Sequence, residues 1–343
     1  MSRMLPPPWS RATGIGALPH TDPVKACHSV LRAYPEFPYV PTLPNRTVNE
    51  GIVFNDSERL PGRVIREGRL IVDRSADIAA GMEQIYLDFI EKNSAPYAVT
   101  PAYGSGFHAM MCHRLDDAFG LKSQITGPIT FGMQVVDDDR RPIAYDPAFA
   151  DVVPKMLALR ARWCEMEMQA CTGVRETLIV LNEPYFASLG SSVIPIDSGT
   201  VCAGWEDIAS LLDGGLGIHC CSNTDWGFVM SLDPAVLSFD AYANAAEFLL
   251  YREALAGYLE RGGIVAWGIV PAEENMFVRE SIESLYDRYR DIRSKVTEYV
   301  SPRLFDSRSL ITPSCGIRFS DENGSEAIMQ AATTISSLIR GLT

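Results

Sequence analysis

The sequence is short of positive charge: 30 Lys and Arg stand against 43 Asp and Glu, a net charge of −13 over 343 residues. Such an acidic chain repels phosphate backbones and anionic lipid, so no nucleic acid and no membrane is expected among its main partners. No apolar run approaches the ~18 residues that a membrane span needs. The opening stretch MSRMLPPPWSRATG has no apolar core of the secretory kind, so a soluble, cytoplasmic protein is expected. Eight cysteines are too few for a disulfide framework at this length. In a reducing compartment each is a core thiol, a nucleophile or a metal ligand. Gly14-x-Gly16 lacks the third glycine of a dinucleotide fingerprint. The five histidines accompany no nucleophile-elbow motif, which removes the serine-hydrolase reading.

What is present is ordinary globular composition, 47% hydrophobic and 21% charged. Eight short β-branched or aromatic runs end in turn residues: 12–20, 37–44, 121–128, 177–184, 215–221, 236–242, 264–271 and 309–316. Most are continuously apolar rather than alternating, as in parallel strands buried on both faces. Amphipathic helical stretches lie between most of them, at 148–172, 243–261, 274–300 and 325–340. Eight strands alternating with helices predict an α/β fold, a (β/α)8 TIM barrel in one domain over 1–343, with an open doubly wound sheet as the alternative. The region 45–120 fits no single βα unit. It reads as an insertion after the second strand, with its own helix near 76–92 and a glycine-rich YGSGFH, capping the barrel mouth.

Chemically capable residues gather at the C-terminal ends of the expected strands, which in a barrel is the catalytic face. GLGIHCCSN carries the densest group. His219 and Cys221 are two apart, so on an extended strand they share a face and Cys220 takes the other. Cys315 closes another strand and Asp240 a third. A histidine, two thiolates and a carboxylate suit tetrahedral zinc; the alternative is a set of buried strand-end thiols. Trp267 at a strand end reads equally as core packing or a cofactor contact, and His20 as a site or loop residue.

Five stretches, GIGALPHTDP, ITGPITF, LNEP, HCC and TPSCGI, occur in an order that resembles the catalytic domain of cobalamin-independent methionine synthases. The resemblance extends to their relatives among corrinoid-dependent thiol methyltransferases and uroporphyrinogen decarboxylase-like barrels. It covers nearly the whole chain outside 60–105. It implies zinc held by His219, Cys221 and Cys315, with Asp240 at the position of the family's acidic ligand. It also implies zinc-activated methyl transfer to a thiol, homocysteine foremost, giving methionine. Ile15 and Ala17 fall on the segment that contacts the amino acid, Asn182 and Glu183 on the acidic motif that holds its ammonium, and Glu50 near a second amine-binding carboxylate. Tyr103 and His108, in the glycine-rich insertion, are read as substrate or lid residues.

The departures from the family pattern are informative. The family's folate-using members protonate the departing folate with a histidine after the seventh strand; AWGIVPAEENMF has none. Together with the single barrel, this favours methylcobalamin or a corrinoid protein as donor over methylfolate. Asn182 stands where the family has aspartate and so brings no charge. A coenzyme M-like thiol, a porphyrinogen decarboxylation activity, and a corrinoid- or zinc-handling binding protein are the other readings.

Overall fold

The computed structural model describes residues 3–191 and 194–342. Among them are ten strands: β1 (Arg11–Ala12), β2 (Arg63–Arg66), β3 (Arg69–Val72), β4 (Leu121–Thr126), β5 (Val136–Asp137), β6 (Thr177–Asn182), β7 (Gly215–Cys220), β8 (Val236–Phe239), β9 (Ile264–Val270) and β10 (Ser309–Pro313). Seven form one parallel sheet, in the order β1-β10-β9-β8-β7-β6-β4. The other three make a small sheet, with β2 antiparallel to β3 and β5 parallel to it. The architecture is α/β, with helices between the parallel strands.

The expected second strand, 37–44, forms no continuous ladder. It makes isolated parallel bridges, Tyr39 with Lys122 and Ala17 with Thr42. Pro38, Pro41 and Pro44 interrupt it, and each removes the N–H a ladder needs. The segment still bonds to β4 on one side and to the chain just beyond β1 on the other. Val40 N–H donates to Lys122 O at 2.8 Å on one side, and Thr42 N–H to Gly16 O at 2.9 Å on the other.

Side-chain alternation separates an inner face from an outer one. Leu178, Val180, Val236, Ile264, Ala266 and Leu310 pack together with Leu5 and Phe37 in a small inner cluster. The alternate residues, Ile179, Ile218, Phe239 and Ile311 among them, join the large cluster shared with the helices. On β7 the inner face therefore reads Gly215, Gly217, His219. A Cβ on Gly217 would sit 2.8 Å from the Val236 carbonyl oxygen, so only glycine fits beneath the histidine. Trp267 faces outward: fully buried, it lies 5.7 Å from Phe239, 5.6 Å from Phe248 and 5.5 Å from Phe305 between ring centroids, and its indole N–H donates to Ser309 Oγ at 3.0 Å.

Two expected helices are divided. The stretch 243–261 becomes Ala241–Phe248 and Arg252–Glu260, with Leu250 80% exposed at the break. The stretch 274–300 becomes Glu274–Phe277 and Ile282–Val296. A capping box between Ser281 and Ser284 starts the second piece afresh. The region 45–120 contains the β2–β3 hairpin, the helix Ile78–Glu91 and the short helix Ser105–Met110. It also supplies Glu50, Ile52 and Asn55 to the wall of the cavity described next.

Candidate functional site

His219 near the end of β7, Cys221 just beyond it, and Cys315 two residues past β10 converge. Their ligand atoms all lie within 4.8 Å of one another. Zinc–sulfur and zinc–nitrogen bonds of about 2.0–2.3 Å require tetrahedral ligand atoms roughly 3.5–3.8 Å apart, so small side-chain adjustments close the set on one ion. The imidazole is oriented for this. Its Nδ1 is 2.9 Å from Ser238 Oγ, on the residue paired with His219 in register, while its buried Nε2 has no hydrogen-bond partner. A buried ring nitrogen without a partner is costly unless a ligand completes it. A histidine tied at one nitrogen and free at the other is the usual arrangement of a metal ligand with its outer-shell partner.

Neither thiol is in a disulfide. The adjacent Cys315 thiol and then His219 bring the Cys221 thiol down to about 4, while Cys221 and burial push Cys315 up. Cys220 faces the helical layer. It is fully buried, its thiol donates to Ser222 O at 3.3 Å, and burial raises it to about 12. Asp240 stands beside the group but outside the three converging atoms. One carboxylate oxygen caps the helix Ala241–Phe248 through Ala243 N–H at 2.9 Å, and burial together with the charge of Cys221 lifts the carboxyl to about 6.

These three residues form part of the wall of a cavity of about 260 Å³. That is slightly below the usual range of drug-sized pockets and suits a small ligand. Ile15, Gly16 and Ala17 line one side, and Asn182, Pro184 and Glu50 others. Gly16 has φ +146°, a backbone conformation open to glycine and strained for other residues. Glu50 is 2% exposed. Its Oε1 accepts from Ser105 Oγ at 2.6 Å and from Arg46 at 2.9 Å, whereas its Oε2 is buried without a partner.

Three expected substrate residues lie elsewhere. Glu183 turns away from the cavity toward the helix Pro128–Gln134. Its carboxylate accepts from Ile129 N–H at 3.0 Å, Thr130 N–H at 2.8 Å and Thr130 Oγ at 2.6 Å. Tyr103 accepts from Arg63 at 2.6 Å beside a smaller neighbouring hollow, and His108 Nε2 pairs with Val99 O at 2.8 Å. His20 is buried, with its Nδ1 unpartnered, and does not line the cavity.

Sequence reasoning missed several contributors. Gln124, Thr126, Arg318 and Phe319 line the cavity, and Lys122 lies on the same face of β4 as Gln124. The signal for three of them is the polar period of two in LKSQIT, inside a strand otherwise expected to be apolar. Ser238, two residues before Asp240, offered the same clue.

No family model matches the sequence, and no curated protein does. Solved structures share the fold. One is a B12-independent methionine synthase from Shewanella sp. W3-18-1 in complex with selenomethionine, 16% identical, with a TM-score of 0.56 over 100% of this chain and 97% of that one. Another is a putative vitamin-B12 independent methionine synthase from Listeria monocytogenes, 12% identical, with a TM-score of 0.56 over 98% and 99% of the two chains.

Proposed function

We propose that the protein is a zinc-dependent thiol methyltransferase of the methionine synthase type, with homocysteine as its foremost acceptor. The observation that carries this reading is the unpartnered Nε2 of buried His219 beside two free thiols, in the wall of a small cavity. The shared fold, and the seleno-amino acid named with one neighbour, support it. The proposal includes closure of the sheet into a (β/α)8 barrel through 37–44, supported by the bridges on both sides of that segment. It also treats 45–120 as an insertion within one domain. A porphyrinogen decarboxylase needs several cations for its carboxylates; among the described residues Arg318 alone supplies an arginine to the cavity wall.

His219, Cys221 and Cys315 would hold the zinc, with Asp240 beside them as a candidate further ligand. Bound zinc keeps a substrate thiol deprotonated near neutral pH, where a free one is mostly protonated. Ser238 holds the ring of His219 at Nδ1, leaving Nε2 for the ion. Glu50 Oε2 receives a substrate ammonium, and the backbone of 15–17 borders the amino-acid end. The cavity is too small for a large methyl donor as well, so the donor approaches at the mouth, past Phe319.

Glu50→Gln is expected to raise KM for an amino-acid thiol about 10- to 100-fold with kcat nearly unchanged, the range for losing a hydrogen bond to a charged group. Steady-state kinetics check this. For the donor, the missing histidine after β9 favours methylcobalamin or a corrinoid protein, while the two neighbours are described as B12-independent. The assay supplies methylcobalamin and methylfolate separately, each with homocysteine and other thiols, and detects the methylated product. Turnover with methylcobalamin alone is expected. Comparable turnover with methylfolate overturns the donor assignment, and no methylated thiol from either overturns the function.

A further inference from the structure

Beneath the cavity, β4 points Lys122 and Gln124 to one face. Lys122 is 4% exposed and has no carboxylate partner among the described residues. Its Nζ donates to Gly14 O and, at 3.1 Å, to Gln124 Oε1. Gln124 Nε2 in turn donates to Asn182 Oδ1 at the end of β6. With Lys122 protonated the chain of bonds has one direction: an ammonium has three N–H donors and no acceptor, so it donates toward both neighbours. The group that Gln124 turns to it must therefore be the carbonyl oxygen. The amide nitrogen then faces Asn182, which must answer with its own carbonyl oxygen. Any member turned over would set donor against donor and leave bonds unmade in a buried network. The Asn182 amide nitrogen is left over. It has no partner among the described residues, and Asn182 lines the cavity.

We propose that Lys122, acting through Gln124, fixes Asn182 as a hydrogen-bond donor to the cavity, so that the substrate meets Asn182 with an acceptor such as a carboxylate, not with its ammonium. This rests on reading the cavity as the thiol site. It divides the polar contacts by sign: Glu50 Oε2 is the anionic acceptor left for an ammonium, and Asn182 Nδ2 is a donor for an acid group. Lys122 and Gln124 are positioning residues in this scheme, and Asn182 determines specificity.

The test measures binding of three thiols to the zinc-loaded protein by calorimetry: homocysteine, mercaptobutanoate, which lacks the amine, and mercaptopropylamine, which lacks the acid. Asn182→Ala is expected to weaken mercaptobutanoate about tenfold, the loss of one ordinary hydrogen bond, and to leave mercaptopropylamine within about twofold. Lys122→Met fills the same inner volume without directing Gln124. It should reduce the preference for the acid while homocysteine still binds. A variant Asn182→Ala that weakens the amine and spares the acid, or that changes neither, overturns the proposal while the thiol reading stands. Failure of all three thiols to bind the unaltered protein overturns both. If Lys122→Met does not fold, the Asn182→Ala comparison decides alone.

Discussion

Cys221→Ser is expected to release zinc and abolish methyl transfer, with zinc affinity falling well beyond 100-fold. Loss of an outer-shell partner typically costs about 10- to 100-fold, and loss of a direct ligand costs more. Ser238→Ala, which removes only the hydrogen bond to His219 Nδ1, should fall within that smaller range. The adjacent cysteine is the control. Cys220 faces the helices and bonds Ser222 O, so Cys220→Ser should retain full zinc content, with any loss confined to stability. Zinc content per chain after gel filtration, together with a competition titration against a chromophoric chelator, separates the three variants. Equal zinc loss from the Cys220 and Cys221 variants would contradict the site.

Glu183→Ala is expected to destabilise the fold by about 3 kcal/mol or more, because it strands Ile129 N–H, Thr130 N–H and the Thr130 hydroxyl at a buried helix start. Its pH dependence has a definite sign. Burial lifts the carboxyl from an ordinary 4.5 to about 7, against the opposing hydrogen bonds from Thr130 and Ile129. Between these values the folded chain holds a proton that the unfolded chain has lost. Stability therefore falls as pH rises from 4.5 to 7, by at most about 1.4 kcal/mol per unit from this group. The contribution is fully present below 4.5 and gone above 7. Urea titrations from pH 4.5 to 7.5 should show this slope in the unaltered protein and a shallower one in Glu183→Gln, where Asp240 still contributes. A slope unchanged by the substitution would contradict the assignment.

The geometry of β7 was legible because alternation alone separates His219 and Cys221 from Cys220. The order of the parallel strands was legible too, since continuous apolar runs between helical stretches leave few arrangements. The proline-broken run 37–44 was read as a strand on its apolar character, but three missing N–H groups reduce it to bridges. The stretch after β9 was read as one helix because its period persists; a capping box divides it locally. Glu183 is expected with the substrate on the strength of its charge, although alternation from Asn182 turns it to the other face; the structure sends its carboxylate to a helix start. Tyr103 and His108 lie in a region with no regular period, so nothing in their spacing fixed which hollow they would face. The spacing of Lys122 and Gln124 is visible in the sequence, but a buried lysine in a parallel strand is intelligible only with its two acceptors in view.

His219, Cys221 and Cys315 are proposed to hold one zinc ion whose remaining position takes a substrate thiol. X-ray absorption at the zinc edge, on protein purified with its metal and again after adding homocysteine, tests it most directly. About one zinc per chain is expected, with two sulfur neighbours at about 2.3 Å and one imidazole nitrogen at about 2.0–2.1 Å, rising to three sulfurs with the thiol. A spectrum with no sulfur neighbours, or a sulfur count that does not change when homocysteine is added, would contradict it.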